Sequence, residues 1–186
     1  WWGRWALAGT FALGTLSAPP SGAFESLTFT TPGAPADLEV ALRASSVLLI
    51  AQSENKQDVD AVLAAARADY QRLIGALYEN GFYGGVISIK VDGQEVADLR
   101  PTRQLGSINT IDVMVDPGPL YHFSRADVVP LARATELDKD FRVGAPAGWR
   151  AIRLSARAAI DGWRDQGHAK ADVKDQRIIA EHDEDT

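Results

Sequence analysis

Leu73-Ile-Gly-Ala-Leu-Tyr-Glu-Asn-Gly81-Phe-Tyr-Gly-Gly-Val-Ile-Ser-Ile-Lys-Val91 reads as an amphipathic helix that stops at a glycine and passes directly into a strand. The pattern recurs at Ala159-Ile-Asp-Gly-Trp-Arg-Asp-Gln-Gly167-His-Ala-Lys-Ala-Asp-Val173, where Ile160, Trp163, Gly167 and Val173 fall on Ile74, Leu77, Gly81 and Ile87. A repeat of roughly 80–90 residues is the spacing of tandem small domains rather than of a solenoid. Val115-Asp-Pro-Gly-Pro-Leu-Tyr-His-Phe123 lies between the copies, ending one unit and opening the next.

Working outward from Gly81, the helix extends back to Asp58, whose carboxylate suits an N-cap. Val59, Val62, Leu63, Ala66, Tyr70, Leu73, Ile74 and Leu77 mark its apolar face. Upstream, Leu38, Leu42, Val47 and Leu49 keep near-helical spacing and predict one helix from Ala36 to about Ala51. Before it, Ser26 to Thr31 alternates and is rich in threonine, as a strand requires. Downstream, Gly85 to Val91 is a strand with Ile87, Ile89 and Val91 on one face and Ser88 and Lys90 on the other. Asp92-Gly93 is a hairpin turn in isolation. The next alternating stretch, however, is Ser107 to Val115, with Ile111, Val113 and Val115 on one side, which favours a longer loop.

The first unit, 24–119, is therefore strand-helix-helix-strand-strand, an α+β arrangement whose two helices cover one face of a three-stranded mixed sheet. The second, 120–186, restarts with a strand over Leu120 to Val129. A polar, irregular stretch follows, then a helix from Ala147 to Gln166 with Trp149, Ile152, Ala156, Ile160 and Trp163 inward. A strand over Val173 to Ala180 closes the sequence, so this unit is read as incomplete, lacking its last strand.

Net charge is −6, which argues against a phosphate-binding surface and hence against nucleic acid as a partner. The absence of cysteine removes thiolate catalysis, cysteine zinc sites and disulfides. Residues 1–23 have the layout of a secretory signal peptide: Arg4, an apolar run from Trp5 to Ala18, then Pro19-Pro20 and Ser21-Gly22-Ala23 at the cleavage site. The run is shorter than the ~20 residues that span a bilayer.

No constellation for chemistry emerges. His122, His168 and His182 are not at metal-ligand spacing, and His182-Asp-Glu-Asp185 reads as a solvated acidic end. Ser21, Ser45, Ser46 and Ser155 have no nucleophile-elbow context. Gly81-Phe-Tyr-Gly84 matches an RNA-clamping GxxG only literally, since it joins a helix to a strand with no nearby Lys or Arg. No catalytic residue, metal site or cofactor is expected, and the chain is read as a binding module, not an enzyme.

The strand-helix-helix-strand-strand order, the helix-Gly-strand joins, the Pro-Gly-Pro-x-Tyr-x-Phe junction and the leader together resemble POTRA domains, the periplasmic modules of bacterial outer-membrane assembly factors. Leu63 to Gly85 and Asp161 to Lys170 look most like the branch that assembles autotransporters. The resemblance implies a sheet with its third strand in the middle, and a parent protein in the outer membrane with this region in the periplasm. It further implies a membrane-embedded β-barrel, of which this sequence carries none. Implied partners are unfolded outer-membrane or autotransporter clients and an inner-membrane-anchored partner subunit of the translocation and assembly module.

In such a module an extended client can add to a sheet edge through main-chain hydrogen bonds. The expected edge is Gly85, Val86, Ile87, Ser88, Ile89, Lys90 and Val91, with Ser88→Pro weakening capture. Equally, Lys90 can guard a covered edge against aggregation. The alternative function is a free-standing periplasmic scaffold module of a secretion or cell-division complex.

Overall fold

The computed structural model describes residues 24–54, 58–99 and 106–177, so the leader assigned to 1–23 lies outside the described residues. The fold is α+β. Strand β1 (Ser26–Thr30) leads into helices α1 (Ala36–Ser45), α2 (Val47–Ser53) and α3 (Val59–Glu79). Strands β2 (Val86–Val91) and β3 (Gln94–Glu95), a 3-10 turn (Val96–Asp98) and strand β4 (Thr110–Asp116) complete the first half. The sheet order is β1-β4-β2-β3. β4 therefore lies in the middle, parallel to β1 with Leu27 opposite Ile111, and antiparallel to β2 with Ile89 opposite Val113.

Alternation in the strands decides which face the helices cover. Leu27 and Phe29, Ile87, Ile89 and Val91, and Ile111, Val113 and Val115 turn to one side. There they meet Leu38 and Leu42 of α1, Leu48 of α2, and Val62, Leu63, Ala66, Leu73 and Leu77 of α3 in one continuous core. Each fully buried leucine in such a core contributes roughly 1.5–3 kcal/mol relative to exposure. The opposite face carries Thr28, Thr30, Asp112 and Lys90 and stays in solvent.

The single helix expected from Ala36 to Ala51 is two helices, broken at Ser46. Ser46 is extended (φ −76°, ψ 121°), and its Oγ caps α2 by accepting from the Leu49 N–H at 3.2 Å. What holds the break is Asp69 of α3, which has no solvent exposure. Its carboxylate accepts from Ser46 Oγ at 2.6 Å, Val47 N–H at 2.5 Å and Leu48 N–H at 3.3 Å. These are orphan donors of the α2 N-terminus. Burial pushes the Asp69 pKa up, against the pull of the Ser46, Val47 and Leu48 hydrogen bonds and the Arg72 charge. The carboxylate thus sits in place at an energetic cost, and of its partners Ser46 and Leu48 have no solvent exposure.

Both helix stops read from the repeat are the same capping motif. Gly81 (φ +87°) follows α3, with Phe82 N–H bonded to Leu77 C=O at 2.9 Å and Gly81 N–H to Tyr78 C=O at 3.2 Å. Helix α4 (Trp149–Asp165) ends identically. Gly167 (φ +92°) donates to Arg164 C=O at 2.9 Å and His168 to Trp163 C=O at 3.1 Å. The apolar contact that often accompanies this motif is present at the second cap, where the His168 ring sits edge-on to Trp163 at 5.1 Å, and at the first Phe82 and Leu77 are buried in the same core.

The second half differs from the reading of its sequence. No strand forms over Leu120 to Val129; only isolated bridges occur there, Phe82 with Leu120 and His122 with Pro146. Residues 173–177 carry no strand pairing either, and the rest of the stretch expected to be a strand, 178–180, lies outside the described residues. A strand is stable only when neighbours satisfy its ladder, and among the described residues no neighbouring strand stands beside either segment. Helix α4 is accordingly rolled relative to expectation. It buries Ala151, Ser155 and Ala159 beside the expected Ile152, while Ala156, Ile160 and Trp163 are half-buried and Trp149 is 37% exposed. It is bonded to the preceding loop as well as to α3: Ser155 Oγ accepts from Asp138 N–H at 3.1 Å, and Trp163 Nε1 donates to Pro130 C=O at 3.0 Å.

The halves are joined at the end of α3. Tyr121 N–H donates to Gly81 C=O, Ala147 N–H to Tyr121 C=O, and Tyr83 Oη to Ala147 C=O, at 3.0, 2.8 and 2.5 Å. Arg153 of α4 pairs with Glu79 of α3 at 3.0 Å.

Two stability outcomes follow from this packing. Asp69→Ala strands the donors at the start of α2 and is expected to cost about 2–4 kcal/mol in chemical denaturation, whereas Asp69→Asn, which keeps one acceptor, costs about 1 kcal/mol. The two cap glycines are expected to respond unequally. A Cβ at Gly167 meets nothing within 4 Å, so Gly167→Ala pays only for its positive φ, about 1–2 kcal/mol. A Cβ at Gly81 also meets Leu120 Cδ1 at 3.2 Å and Ala147 N at 3.3 Å, so Gly81→Ala costs more in the same measurement.

Candidate functional site: the two edges of the sheet

Of the expected edge residues Gly85 to Val91, Val86–Val91 form the strand that follows α3, and Gly85 stands just before it. Gly85 is where the chain swings from helix to sheet, and a Cβ there would lie 2.6 Å from Leu77 Cδ1 and 3.1 Å from Asp116 C=O. In an antiparallel ladder alternate residues bond to the neighbour. Asp92 N–H bonds to Thr110 C=O at 2.9 Å, so Val86, Ser88 and Lys90 face β4 while Ile87, Ile89 and Val91 turn their backbone groups outward.

That outer side is largely taken. Asp92 (φ 47°) and Gly93 (φ 78°) form a two-residue turn, which brings Gln94 opposite Val91 and Glu95 opposite Lys90. The turn and the long loop weighed against each other in the sequence both exist, one after the other. Glu95 then reaches back along β2. Its Oε1 accepts from Ile89 N–H at 2.8 Å and its Oε2 from Ser88 Oγ at 2.7 Å. Tyr70 of α3 donates its hydroxyl to Glu95 Oε1 and lies 3.4 Å from Ile89 C=O. Among the described residues, only the outward N–H and C=O of Ile87 lack a partner on this edge.

Two expectations are corrected by this geometry. Strand β2 is not a bare edge, because it lies between β4 and the short β3. Ser88→Pro is the wrong probe of the edge, because the Ser88 N–H points into the β4 ladder, opposite Met114. Lys90 stands on the solvent face, opposite Asp112 and Glu95.

The other edge is β1, which the sequence did not single out. Ser26 N–H bonds to Asn109 C=O at 3.2 Å, so Ser26, Thr28 and Thr30 face β4 and Leu27 and Phe29 turn outward. Phe29 C=O accepts from Arg43 of α1 at 3.0 Å. The Arg43 guanidinium also lies over the Phe29 ring, 5.1 Å from its centroid, and pairs with Glu39 at 2.9 Å. Leu27 N–H, Leu27 C=O and Phe29 N–H have no partner among the described residues. The rule that would have found this edge is topological: once the third long strand lies in the middle, the first must be outermost.

The charges at the β2 edge are tuned by their neighbours. Burial raises the Tyr70 hydroxyl to about 12, helped by the Glu95 hydrogen bond and charge, so Tyr70 remains a neutral donor well beyond neutral pH. Burial works against the Glu95 carboxylate, yet hydrogen bonds from Tyr70, Ser88 and Ile89 N–H, with the Lys90 charge, hold its pKa below the ordinary 4.5.

The remaining sequence candidates do not converge. His122 and His168 are in separate loops, and His182 lies outside the described residues. No group of three His, Asp or Glu side chains among the described residues is placed to hold a metal ion. No helix among them is long and apolar enough to cross a membrane. Trp149, Ala156 and Ile160 of α4 line a shallow groove with Arg153, Arg157 and Gln176. No protein-family model matches the chain, and no curated protein matches it either.

A carboxylate held below its unfolded pKa stabilises the fold above that unfolded value, and the contribution is lost as pH falls through the lowered one. Wild type is therefore expected to exceed Glu95→Gln in Tm at neutral pH, with the gap closing as pH falls below 4.5. A gap independent of pH would show that the Glu95 charge is not engaged.

Proposed function

We propose that this chain is the periplasmic docking region of an outer-membrane protein assembly and translocation factor. Its partners are unfolded outer-membrane or autotransporter clients and an inner-membrane-anchored partner subunit, which it receives by strand addition. The resemblance to POTRA domains, and to the outer-membrane subunit of the translocation and assembly module, TamA, supplies the cellular setting. The single observation that supports it is the sheet: β4 lies in the middle, three helices cover one face, and β1 presents open backbone groups at its outer edge. An extended chain laid against β1 gains main-chain bonds at Leu27 and Phe29 whatever its side chains, which suits a module with many clients. The reading assigns no catalytic residue and no cofactor.

The Leu27 N–H points away from β4, so proline there removes a docking donor without cutting the internal ladder. Leu27→Ala keeps that donor and loses only side-chain packing. With an unfolded outer-membrane β-barrel protein diluted from urea as probe, Leu27→Pro is expected to lower capture about fivefold to tenfold relative to Leu27→Ala, the loss of one net hydrogen bond. Equal capture by the two variants would remove β1 as the receiving edge.

A further inference from the structure

The outer side of β2 has the geometry of a second receiving edge, occupied by this chain itself. Ile87, Ile89 and Val91 all turn their backbone groups outward, in register for an added strand. Val91 is paired by Gln94 of β3, and β3 ends after Glu95, where the chain leaves the sheet as the 3-10 turn. A continued β3 would have bonded Ile89 next. Instead the Glu95 carboxylate bends back and satisfies the Ile89 N–H at 2.8 Å, and the Tyr70 hydroxyl stands 3.4 Å from the Ile89 C=O. Side chains thus take the two bonds that a neighbouring strand would make.

We propose that Glu95, with Tyr70 and Ser88, forms an autoinhibitory clasp on β2. When Glu95 is released, Ile87 and Ile89 accept an extended polypeptide segment as a new strand beside the end of β3. The inference rests on the strand-addition reading and adds a second edge whose opening is controlled. The chemistry favours a clasp over a permanent closure. A carboxylate is an acceptor only: it covers the Ile89 N–H and leaves the C=O to one long hydroxyl contact. An incoming backbone supplies both a donor and an acceptor to Ile89, and further bonds at Ile87, where the outward groups are unpartnered among the described residues. Glu95 is half-buried, and the residue after it, Val96, is anchored in the core, so the carboxylate can swing off β2 by side-chain rotation while the main chain at Val96 stays in place.

The test uses the full chain and a blocked seven-residue peptide of alternating valine and threonine, followed by backbone amide NMR. Glu95→Ala is expected to speed hydrogen exchange at Ile89 about tenfold, as one protecting bond is lost. With the peptide added, amide shifts are expected at Ile87 and Ile89 in Glu95→Ala and not in wild type. Tyr70→Phe, which removes the hydroxyl that orients the carboxylate, gives the same response in weaker form, and a thermal melt of each variant establishes that it is folded. Unchanged exchange at Ile89, or the same peptide shifts at Ile87 and Ile89 in wild type and Glu95→Ala, would overturn the clasp. Peptide shifts confined to Leu27 and Phe29 in every variant would overturn the clasp and leave the β1 docking reading standing. Shifts at Ile87 and Ile89 in Glu95→Ala with none at Leu27 in any variant would do the reverse.

Discussion

The sheet is held by its main-chain ladder, and β4 is the strand on which both sides of that ladder depend. It bonds to β1 on one side and β2 on the other, so both of its edges are consumed. The helices can then cover one face as a single layer, because the middle strand carries the deepest residues, Ile111, Val113 and Val115. The same arrangement puts β1 and β2 on either side of β4, and among the described residues it leaves backbone groups open at Leu27, Phe29 and Ile87. Each outer strand meets a charged side chain there. Arg43, a donor, covers an acceptor of β1, and Glu95, an acceptor, covers a donor of β2. The two guards differ in reach: Arg43 covers one carbonyl, whereas Glu95 acts together with a short paired strand and a tyrosine.

The helical layer has its own constraint. Three helices pack on the sheet only if the chain can turn sharply between α1 and α2, and a turn inside the protein strands N–H groups away from water. Asp69 resolves this from across the core by accepting from Ser46, Val47 and Leu48. A buried carboxylate is costly, and its raised pKa reflects that cost. It remains the better arrangement because a side chain without hydrogen-bond capacity at this position would leave three polar groups dry.

The two halves share a way of stopping a helix and little else. The cap built on Gly81 feeds a strand that finds β4 beside it, whereas the matching cap on Gly167 feeds a segment that joins no strand among the described residues. The core of the second half is correspondingly small, built around Phe123, Ala145, Ala151 and Ile152. It is held to the first half through backbone bonds at Gly81 and Ala147 and the Glu79–Arg153 pair.

Local chemistry made several features legible in the sequence alone. Asp58 caps α3, the apolar stripe of α3 is buried, and Gly81 and Gly167 end their helices with positive φ. The alternation in β1, β2 and β4 correctly divides buried from exposed residues. These depend on neighbours a few residues apart, and so does the α+β character of the fold. What tertiary structure decided depends on partners far along the chain. The break at Ser46 needs an aspartate 23 residues away, and the closure of β2 needs Tyr70 and Glu95 on the same edge. The openness of β1 follows from the placement of β4 more than 80 residues later. The expected strand over Leu120 to Val129 did not form for the same reason, because alternation states what a segment would bury but not whether a partner strand stands beside it.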